Sequence, residues 1–176
     1  MRIRKLRIKL LLLTIAIGVI LPNLLQAQRT QIDNSHHALY EKARELYQNK
    51  KYASAQQTFD RYLAEGESKL LRSKALFYKA RCAMQLYQKE TEYLFKKYVN
   101  RYPEMGKTYL AHYNLGKYHF RQKNLKESRN WLSKVKQSKL SEAKSNELHF
   151  MMGYALYKAK KYDEAKPHLE SIMNKP

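Results

Sequence analysis

Apolar residues recur along positions 36–176 with a period of about 37 residues. A small residue stands once in each period, in steps of 37, 36 and 37, at Ala43, Ala80, Gly116 and Gly153. A large apolar residue recurs independently, in steps of 36, 37 and 37, at Phe59, Phe95, Leu132 and Leu169. Because two separate series share one period, the sequence predicts a unit that is repeated four times. Periods of this length are typical of stacked helical hairpins.

Within each unit the apolar positions predict two helices, which we call helix A and helix B. Leu39, Ala43 and Leu46 follow the i, i+4, i+7 spacing of one helix face. The predicted helices span about 36–49, 52–65, 70–87, 89–101, 107–122, 125–138, 142–159 and 162–173. The predicted fold is therefore an all-α solenoid of four antiparallel helix hairpins, with units at about 36–69, 70–105, 106–141 and 142–176.

Glycine and small polar residues indicate where the helices end. Gly66 is expected in the left-handed conformation that stops a helix. Ser68 and Ser141 are expected to cap the helices that follow them. Gly106 and Asn124 are expected in turns between helices.

The small residue of each helix A has a mechanical role in this prediction. Gly116 and Gly153 lie inside helices, where glycine costs about 0.5–1 kcal/mol relative to alanine. Their presence there predicts that helix A packs closely on helix B of the same hairpin. The predicted structural positions of the repeat are Ala43, Ala55, Phe59, Ala80, Phe95, Gly116, Leu132, Gly153, Ala165 and Leu169.

One set of residues recurs from unit to unit. In the last unit it consists of Gly153, Leu156, Tyr162, Ala165 and Leu169. Its counterparts in the third and first units are Leu115, Gly116, Leu125, Ser128 and Leu132, and Ala43, Leu46, Tyr52, Ala55 and Phe59. The second unit departs from the set at Thr91, where a small residue is expected. The set resembles the tetratricopeptide repeat, and with the stretch from Phe95 to Pro103 it is similar to tetratricopeptide proteins of the bacterial cell envelope. That resemblance implies a concave groove, lined by the A helices, that holds a peptide or a partner segment.

The first 27 residues have the composition of a secretory signal peptide. Residues 1–9 carry five cations and no acid, and an apolar run follows at 10–21. Cleavage is expected after Ala27, with 28–35 as a flexible lead-in, and the protein is expected in the periplasm or at the outer-membrane periphery. The alternative is an uncleaved leader that anchors the chain in the inner membrane, although 12 apolar residues are short for a span of roughly 20. The cleavage region has no cysteine, so we expect no lipid anchor.

The chain is strongly basic. Its formal net charge of +20 falls to +15 when the five cations of the leader are removed. An exported protein meets little nucleic acid, so nucleic acid is disfavoured as a partner, and membrane-surface contact or an acidic protein is favoured. A lysine-rich surface that only maintains solubility is the simplest alternative. The single cysteine, Cys82, lies in a helical pattern and is expected to be a small buried hydrophobe.

Motifs of known catalytic or cofactor-binding mechanism are missing from the sequence, which predicts neither an enzyme nor a cofactor. His112 and His149 occupy equivalent positions, four residues before the small residue, and His119 shares the helix face of His112. Two or three histidines can bind a metal. Leu39 and Leu76 hold the same position in the first two units, so we favour a packing role and predict no metal site.

The inner face of the A helices carries the candidate binding residues. Three residues before the small position stand Tyr40, Phe77, Tyr113 and Phe150. One residue after it stand Arg44, Arg81, Lys117 and Tyr154, and four residues after it stand Tyr47, Met84, Phe120 and Tyr157. These positions predict an aromatic row beside a basic row, which suits a protein segment of net negative charge. For the aromatic row, packing between helices is an equally good explanation.

The sequence thus predicts a non-catalytic scaffold or adaptor of the bacterial cell envelope that binds a protein partner in its concave groove. Two alternatives stay open: a module that binds anionic lipid or lipopolysaccharide through its basic surface, and an N-terminal accessory domain of a longer protein. Helix B of the fourth unit would leave Leu169, Ile172 and Met173 without a closing helix. From this we expect either a longer repeat array or self-association through that helix.

Overall fold

The computed structural model describes residues 34–173, and these residues form eight α-helices. The predicted signal peptide, most of the lead-in and residues 174–176 lie outside the described residues. The helices are α1 (34–48), α2 (Tyr52–Glu65), α3 (Lys69–Gln85), α4 (Thr91–Arg101), α5 (Thr108–Arg121), α6 (Leu125–Leu132), α7 (Glu142–Lys158) and α8 (Tyr162–Met173). Odd-numbered helices are the A helices of the four units, and even-numbered helices are the B helices.

The helices stack in chain order. Each helix from α2 to α7 packs against the helix that follows it, and α5 also contacts α7 directly. An A helix therefore lies between helix B of its own hairpin and helix B of the preceding hairpin. This is an all-α, tetratricopeptide-like solenoid of four antiparallel hairpins. Within the described range, no helix is both long and apolar enough to span a membrane.

Close approach of helix A to helix B depends on the small residues. A Cβ atom added to Gly153 would lie 2.7 Å from Leu169 Cδ2, and one added to Gly116 would overlap the side chain of Leu132. The Ser128 hydroxyl donates a hydrogen bond of 2.9 Å to the carbonyl of Gly116, which ties α6 to α5 at the same point. The two glycines are thus required by packing, as the sequence predicts.

The turn inside each hairpin contains one non-glycine residue in the left-handed conformation. These residues have φ between 55° and 61° and recur in steps of 37, 36 and 37, at Lys50, Tyr87, Lys123 and Lys160. In the first turn, the Lys51 N–H donates to the Leu46 carbonyl at 2.9 Å and the Lys50 N–H donates to the Tyr47 carbonyl at 3.1 Å. This pair of bonds is the Schellman motif, which satisfies carbonyls at a helix end.

The expectation of a left-handed Gly66 is wrong. Gly66 is extended, with φ −72° and ψ 135°. A Cβ atom there would lie 2.5 Å from Tyr62 Cζ, so glycine is needed because the Tyr62 ring lies directly over the backbone. The Gly66 N–H still makes the last helical bond, to the Tyr62 carbonyl at 2.7 Å, and the extended conformation of Gly66 then ends the helix.

The predicted caps are only partly formed. Ser68 accepts a hydrogen bond from the Leu71 N–H at 3.4 Å, and Asn124 accepts one from the Glu127 N–H at 3.3 Å. Ser141 occupies the capping position of α7, but its side chain makes no capping bond. Gly106 lies in the loop before α5, with no atom within 4 Å of an added Cβ.

Helix α6 ends at Leu132, six residues before the predicted end. The chain turns there through two hydrogen bonds that each span three residues. The Lys134 N–H donates to the Trp131 carbonyl, and the Val135 N–H donates to the Leu132 carbonyl. The turn brings Val135 into the core beside Leu132. A short 3₁₀ helix, Gln137–Lys139, completes the connection. The polar residues that follow Leu132 have the composition of a helix, which is why the sequence predicts a longer α6. The helix ends earlier because the chain turns to bury Val135.

Three clusters of buried side chains form the core, and each joins adjacent hairpins. In the first cluster the Phe59 ring stacks on Tyr78 of the next hairpin, with ring centroids 5.8 Å apart. Cys82 is fully buried in this cluster, and burial raises the pKa of its thiol to about 12. The thiol is therefore neutral near pH 7 and packs as an apolar side chain.

Candidate partner-binding groove

Three of the four aromatic residues predicted three positions before the small residue belong to the core. Tyr40, Phe77 and Tyr113 are each at most 3 % exposed, whereas Phe150 is 47 % exposed. Phe77, for example, makes edge-on ring contacts with Phe95 and Tyr98 of helix B. The prediction of an aromatic row along the groove is therefore wrong at these three positions, because the rings pack into the core instead.

The positions four residues after the small residue differ along the stack. Met84 is buried in the core, while Tyr47 is half-buried between Tyr52 and Tyr78. Arg81 lies over the Tyr47 ring, with its guanidinium carbon 5.2 Å from the ring centroid. At this end of the groove the rings pack against each other and beneath a cation.

A group of rings, three of them exposed and one half-buried, lies on the third and fourth A helices, and we call it the aromatic patch. Its members are Phe120, Phe150, Tyr154 and Tyr157. Phe120 of α5 contacts both Phe150 and Tyr154 of α7, with ring centroids 6.1 and 5.6 Å apart. Tyr157 is 54 % exposed and contacts Tyr162 at the start of α8. The patch therefore offers ring surface to a partner, whereas the predicted groove rings of the first two hairpins are buried or half-buried.

The cations of the predicted basic row are held in different ways. Arg44 pairs with Glu41 one turn earlier on α1, at 3.2 Å. Arg81 lies on Tyr47, as described, and Lys117 pairs with Glu147 of α7. Each cation is thus oriented by a neighbouring side chain.

The A helices α3, α5 and α7 enclose a pocket of about 270 Å³, which we call the basic pocket. Its charged and hydroxyl-bearing lining residues are Arg81, Tyr113, Lys117, Arg121, Lys144 and Glu147. Four cations and one carboxylate leave the lining with a formal charge of +3. Among the described residues, neither Arg121 nor Lys144 forms an ion pair within 4 Å. Cations so placed attract an anionic group.

Glu147 is the one carboxylate among the residues that line the basic pocket. The Tyr113 hydroxyl donates a hydrogen bond to Glu147, and the Lys117 ammonium donates to the same carboxylate. Burial disfavours the charged carboxylate, but these two donors outweigh burial and hold the pKa of Glu147 below its usual value of 4.5. Burial, followed by the bond to Glu147, raises the pKa of Tyr113 well above its usual value. The pocket therefore contains donors that already stabilise a carboxylate.

Sequence analysis missed Arg121, Lys144 and Glu147. Arg121 stands four residues after Lys117, and Glu147 stands three residues before Phe150, so both share a helix face with a predicted groove residue. That spacing is a usable signal. Lys144 and Arg81 line the same pocket although they are 63 positions apart, so no local sequence pattern could predict that they lie together.

The equivalent histidines His112 and His149 each pack on helix B of their own hairpin. His112 Nδ1 lies 3.2 Å from the Lys134 carbonyl, and its ring contacts Trp131. His149 Nδ1 lies 2.9 Å from Nδ1 of His168. Across residues 34–173, no group of three or more His, Cys, Asp or Glu side chains is placed to hold a metal ion. Both histidines thus contact the B-helix side of their own hairpin, at the position that Leu39 and Leu76 hold in the first two units.

His119 is buried on the side of α5 that faces α4. Its Nε2 atom lies 3.6 Å from the Glu92 carboxylate of α4. This residue joins α5 to α4 and lies apart from the basic pocket.

Residues 40–105 match the family model described as Tetratricopeptide repeat. The match covers most of α1 and all of α2, α3 and α4, which are the first two hairpins. The third and fourth hairpins continue the same architecture beyond the matched residues. No protein of curated function matches the chain. The match supports a tetratricopeptide protein, and such repeats generally mediate protein–protein interaction.

Proposed function

We propose that this protein is a non-catalytic adaptor that binds a protein segment of net negative charge along its A helices. The observation that carries this proposal is the basic pocket, which lies across three A helices and shares α5 and α7 with the aromatic patch. A charged pocket beside exposed rings suits a segment that has an acidic side chain and a neighbouring apolar side chain.

The two parts of the groove have different roles in this proposal. Rings such as Phe150 and Tyr154 provide contact area with little loss of side-chain entropy. Arg81 and Arg121 provide planar guanidinium groups that can pair with a carboxylate through two bonds. Fixed cations speed association and select the sign of the partner, whereas the rings slow its dissociation.

We place this function in the bacterial cell envelope because residues 1–27 have the composition of a signal peptide. A second candidate function is binding of anionic lipid or lipopolysaccharide, and it is favoured by the formal net charge of +20. The two candidates differ in the surface that they require, since lipid binding uses cations anywhere on the molecule.

The test is affinity capture from an envelope extract with the full chain as bait, at low and at high salt. The groove variant carries Arg81→Glu and Arg121→Glu, on α3 and α5. The matched control carries Lys126→Glu and Lys166→Glu, which make the same change in charge on exposed positions of helices α6 and α8. Circular dichroism and thermal melting establish that both variants are folded.

The adaptor proposal expects a discrete protein partner that the control retains and the groove variant loses. Equal capture by both variants would overturn it. Recovery of lipid or polysaccharide alone, reduced equally in both variants and released by salt, would support the second candidate instead.

A further inference from the structure

The side chain of Glu147 holds a place in the basic pocket that the repeat does not require. The equivalent positions of the other units are Leu110, Lys74 and His37, so no common packing role calls for a carboxylate there. Glu147 is also not sequestered, since its side chain is 38 % exposed. The carboxylate occupies the two donors, Tyr113 and Lys117, that an incoming anion would use.

We propose that Glu147 is a built-in competitor for the basic pocket, and that a carboxylate or phosphoryl group of the bound segment replaces it on Lys117 and Tyr113. The inference rests on the proposed function and specifies the chemical group that the pocket accepts. It makes Glu147 a residue that sets the affinity and selectivity of the groove.

The donor geometry supports this exchange. Tyr113 and Lys117 already bind one carboxylate, so an equivalent group on a ligand would find both donors oriented. Arg121 lies close enough to act electrostatically on both Tyr113 and Glu147. An anionic group of the ligand would therefore be stabilised by Arg121 as well as by Tyr113 and Lys117.

The displaced side chain has an alternative partner. Lys144 stands three residues before Glu147 on α7, and residues at this spacing are neighbours on a helix surface. Glu147 can thus move outward to Lys144 and to water without leaving a buried, unpaired charge, which would be costly. The Lys117 and Glu147 side chains are 24 % and 38 % exposed, so both charges stay within reach of water during the exchange.

The test measures fluorescence anisotropy of a labelled hexaglutamate peptide and of a neutral peptide carrying one phosphoserine, each titrated with the full chain. Glu147→Gln removes the competing charge but keeps the size of the side chain. Glu170→Gln is the matched control, because it removes the same charge from an exposed position on α8. We expect Glu147→Gln to tighten binding about fivefold to tenfold and Glu170→Gln to change it less than about twofold.

A second substitution separates exchange at the donors from a general effect of charge. In the Glu147→Gln background, Tyr113→Phe removes the hydroxyl donor and keeps the ring. If the ligand takes the place of Glu147, this double variant binds about threefold or more weakly than Glu147→Gln alone. The peptide that shows the larger gain identifies the accepted group as carboxylate or phosphoryl.

Equal affinity of the Glu147→Gln and Glu170→Gln proteins for both peptides would overturn the inference. That result, with a lower melting temperature for Glu147→Gln, would show that Glu147 only joins α5 to α7. The capture experiment with the Arg81 and Arg121 variant decides the proposed function independently, since a partner can be held there without displacing Glu147.

Discussion

The absence of a Cβ atom at Gly116 and Gly153 lets helix A lie close to helix B. At Gly116 the opposing atoms belong to Leu132, which is only 1 % exposed and has no room to move. Gly106, in contrast, has open space around the position of its missing Cβ. Substitution of Gly116 and of Gly106 by the same residue therefore compares a crowded position with an open one.

Gly116→Leu is expected to lower the free energy of unfolding by about 3 kcal/mol or more, because overpacking forces α5 away from α6. Gly106→Leu should change it by no more than about 0.5 kcal/mol. Urea denaturation followed by circular dichroism measures both. An unchanged midpoint for Gly116→Leu would show that α5 and α6 are not in close contact.

The left-handed residues in the hairpin turns give a second prediction for single residues. A non-glycine residue in this conformation costs about 1–2 kcal/mol, and glycine loses about 0.5–1 kcal/mol more than alanine through entropy on folding. Lys123→Gly should therefore stabilise the protein by roughly 0.5–1 kcal/mol.

Lys42→Gly is the control for this substitution, because Lys42 is exposed in the middle of α1, where glycine should destabilise by about 0.5–1 kcal/mol. Thermal melting should move in opposite directions for the two variants. A fall in melting temperature for both would mean that the Lys123 side chain contributes contacts that outweigh its backbone strain.

At the scale of one element, the hairpin of α7 and α8 depends on a pair of histidines. His149 and His168 are joined through their Nδ1 atoms, so one ring donates and the other accepts, which requires at least one neutral ring. Burial, followed by the neighbouring His149, holds the pKa of His168 below its usual value of 6.5. Burial also lowers the pKa of His112 in the preceding hairpin.

Stability is expected to fall on acidification from about pH 7.5 to pH 5. The unfolded chain binds a proton at His168 more readily than the folded chain does, so stability rises with pH across this range. His168→Gln should make the dependence of melting temperature on pH shallower. Above pH 8 the melting temperatures of the two proteins should differ by a constant amount. An equal slope of melting temperature against pH in both proteins below pH 7 would contradict this role for His168.

At the scale of the whole molecule, position in the stack decides what the same repeat position does. Phe77 and Phe150 both stand three residues before the small residue, yet they are 1 % and 47 % exposed. Phe77 packs against Phe95 and Tyr98 of α4, in the core cluster that joins the second and third hairpins. The ring contacts of Phe150 are instead with Phe120 and Tyr154 of the aromatic patch. One position is therefore core in the second hairpin and surface in the fourth.

Phe77→Ala should lower the free energy of unfolding by about 3–5 kcal/mol, as large-to-small changes in a core do. Phe150→Ala should lower it by only about 1 kcal/mol, since much of its ring is already in water. The second variant should instead weaken capture of the protein partner. Similar losses of stability for both variants would mean that Phe150 is covered in solution.

The prediction of the fold succeeded where the signal is local. Helix spacing, the small residues and the capping position of Ser68 all act within one or two turns, so a single sequence carries them. The left-handed Lys123 and the early end of α6 were not predictable in this way. Lys123 adopts a conformation that its side chain does not favour, and α6 ends because Val135 is drawn into the core.

The sequence by itself determined four helical hairpins and the close contacts at Gly116 and Gly153, because a periodic pattern defines which face of each helix is apolar. Tertiary structure alone decided which groove rings are accessible and brought Arg81, Lys117, Lys144 and Glu147 to one pocket. The physical reason is that a helix period is a property of a few neighbouring residues. Burial and charge at the groove depend on which other helices lie alongside, and those helices come from distant parts of the chain.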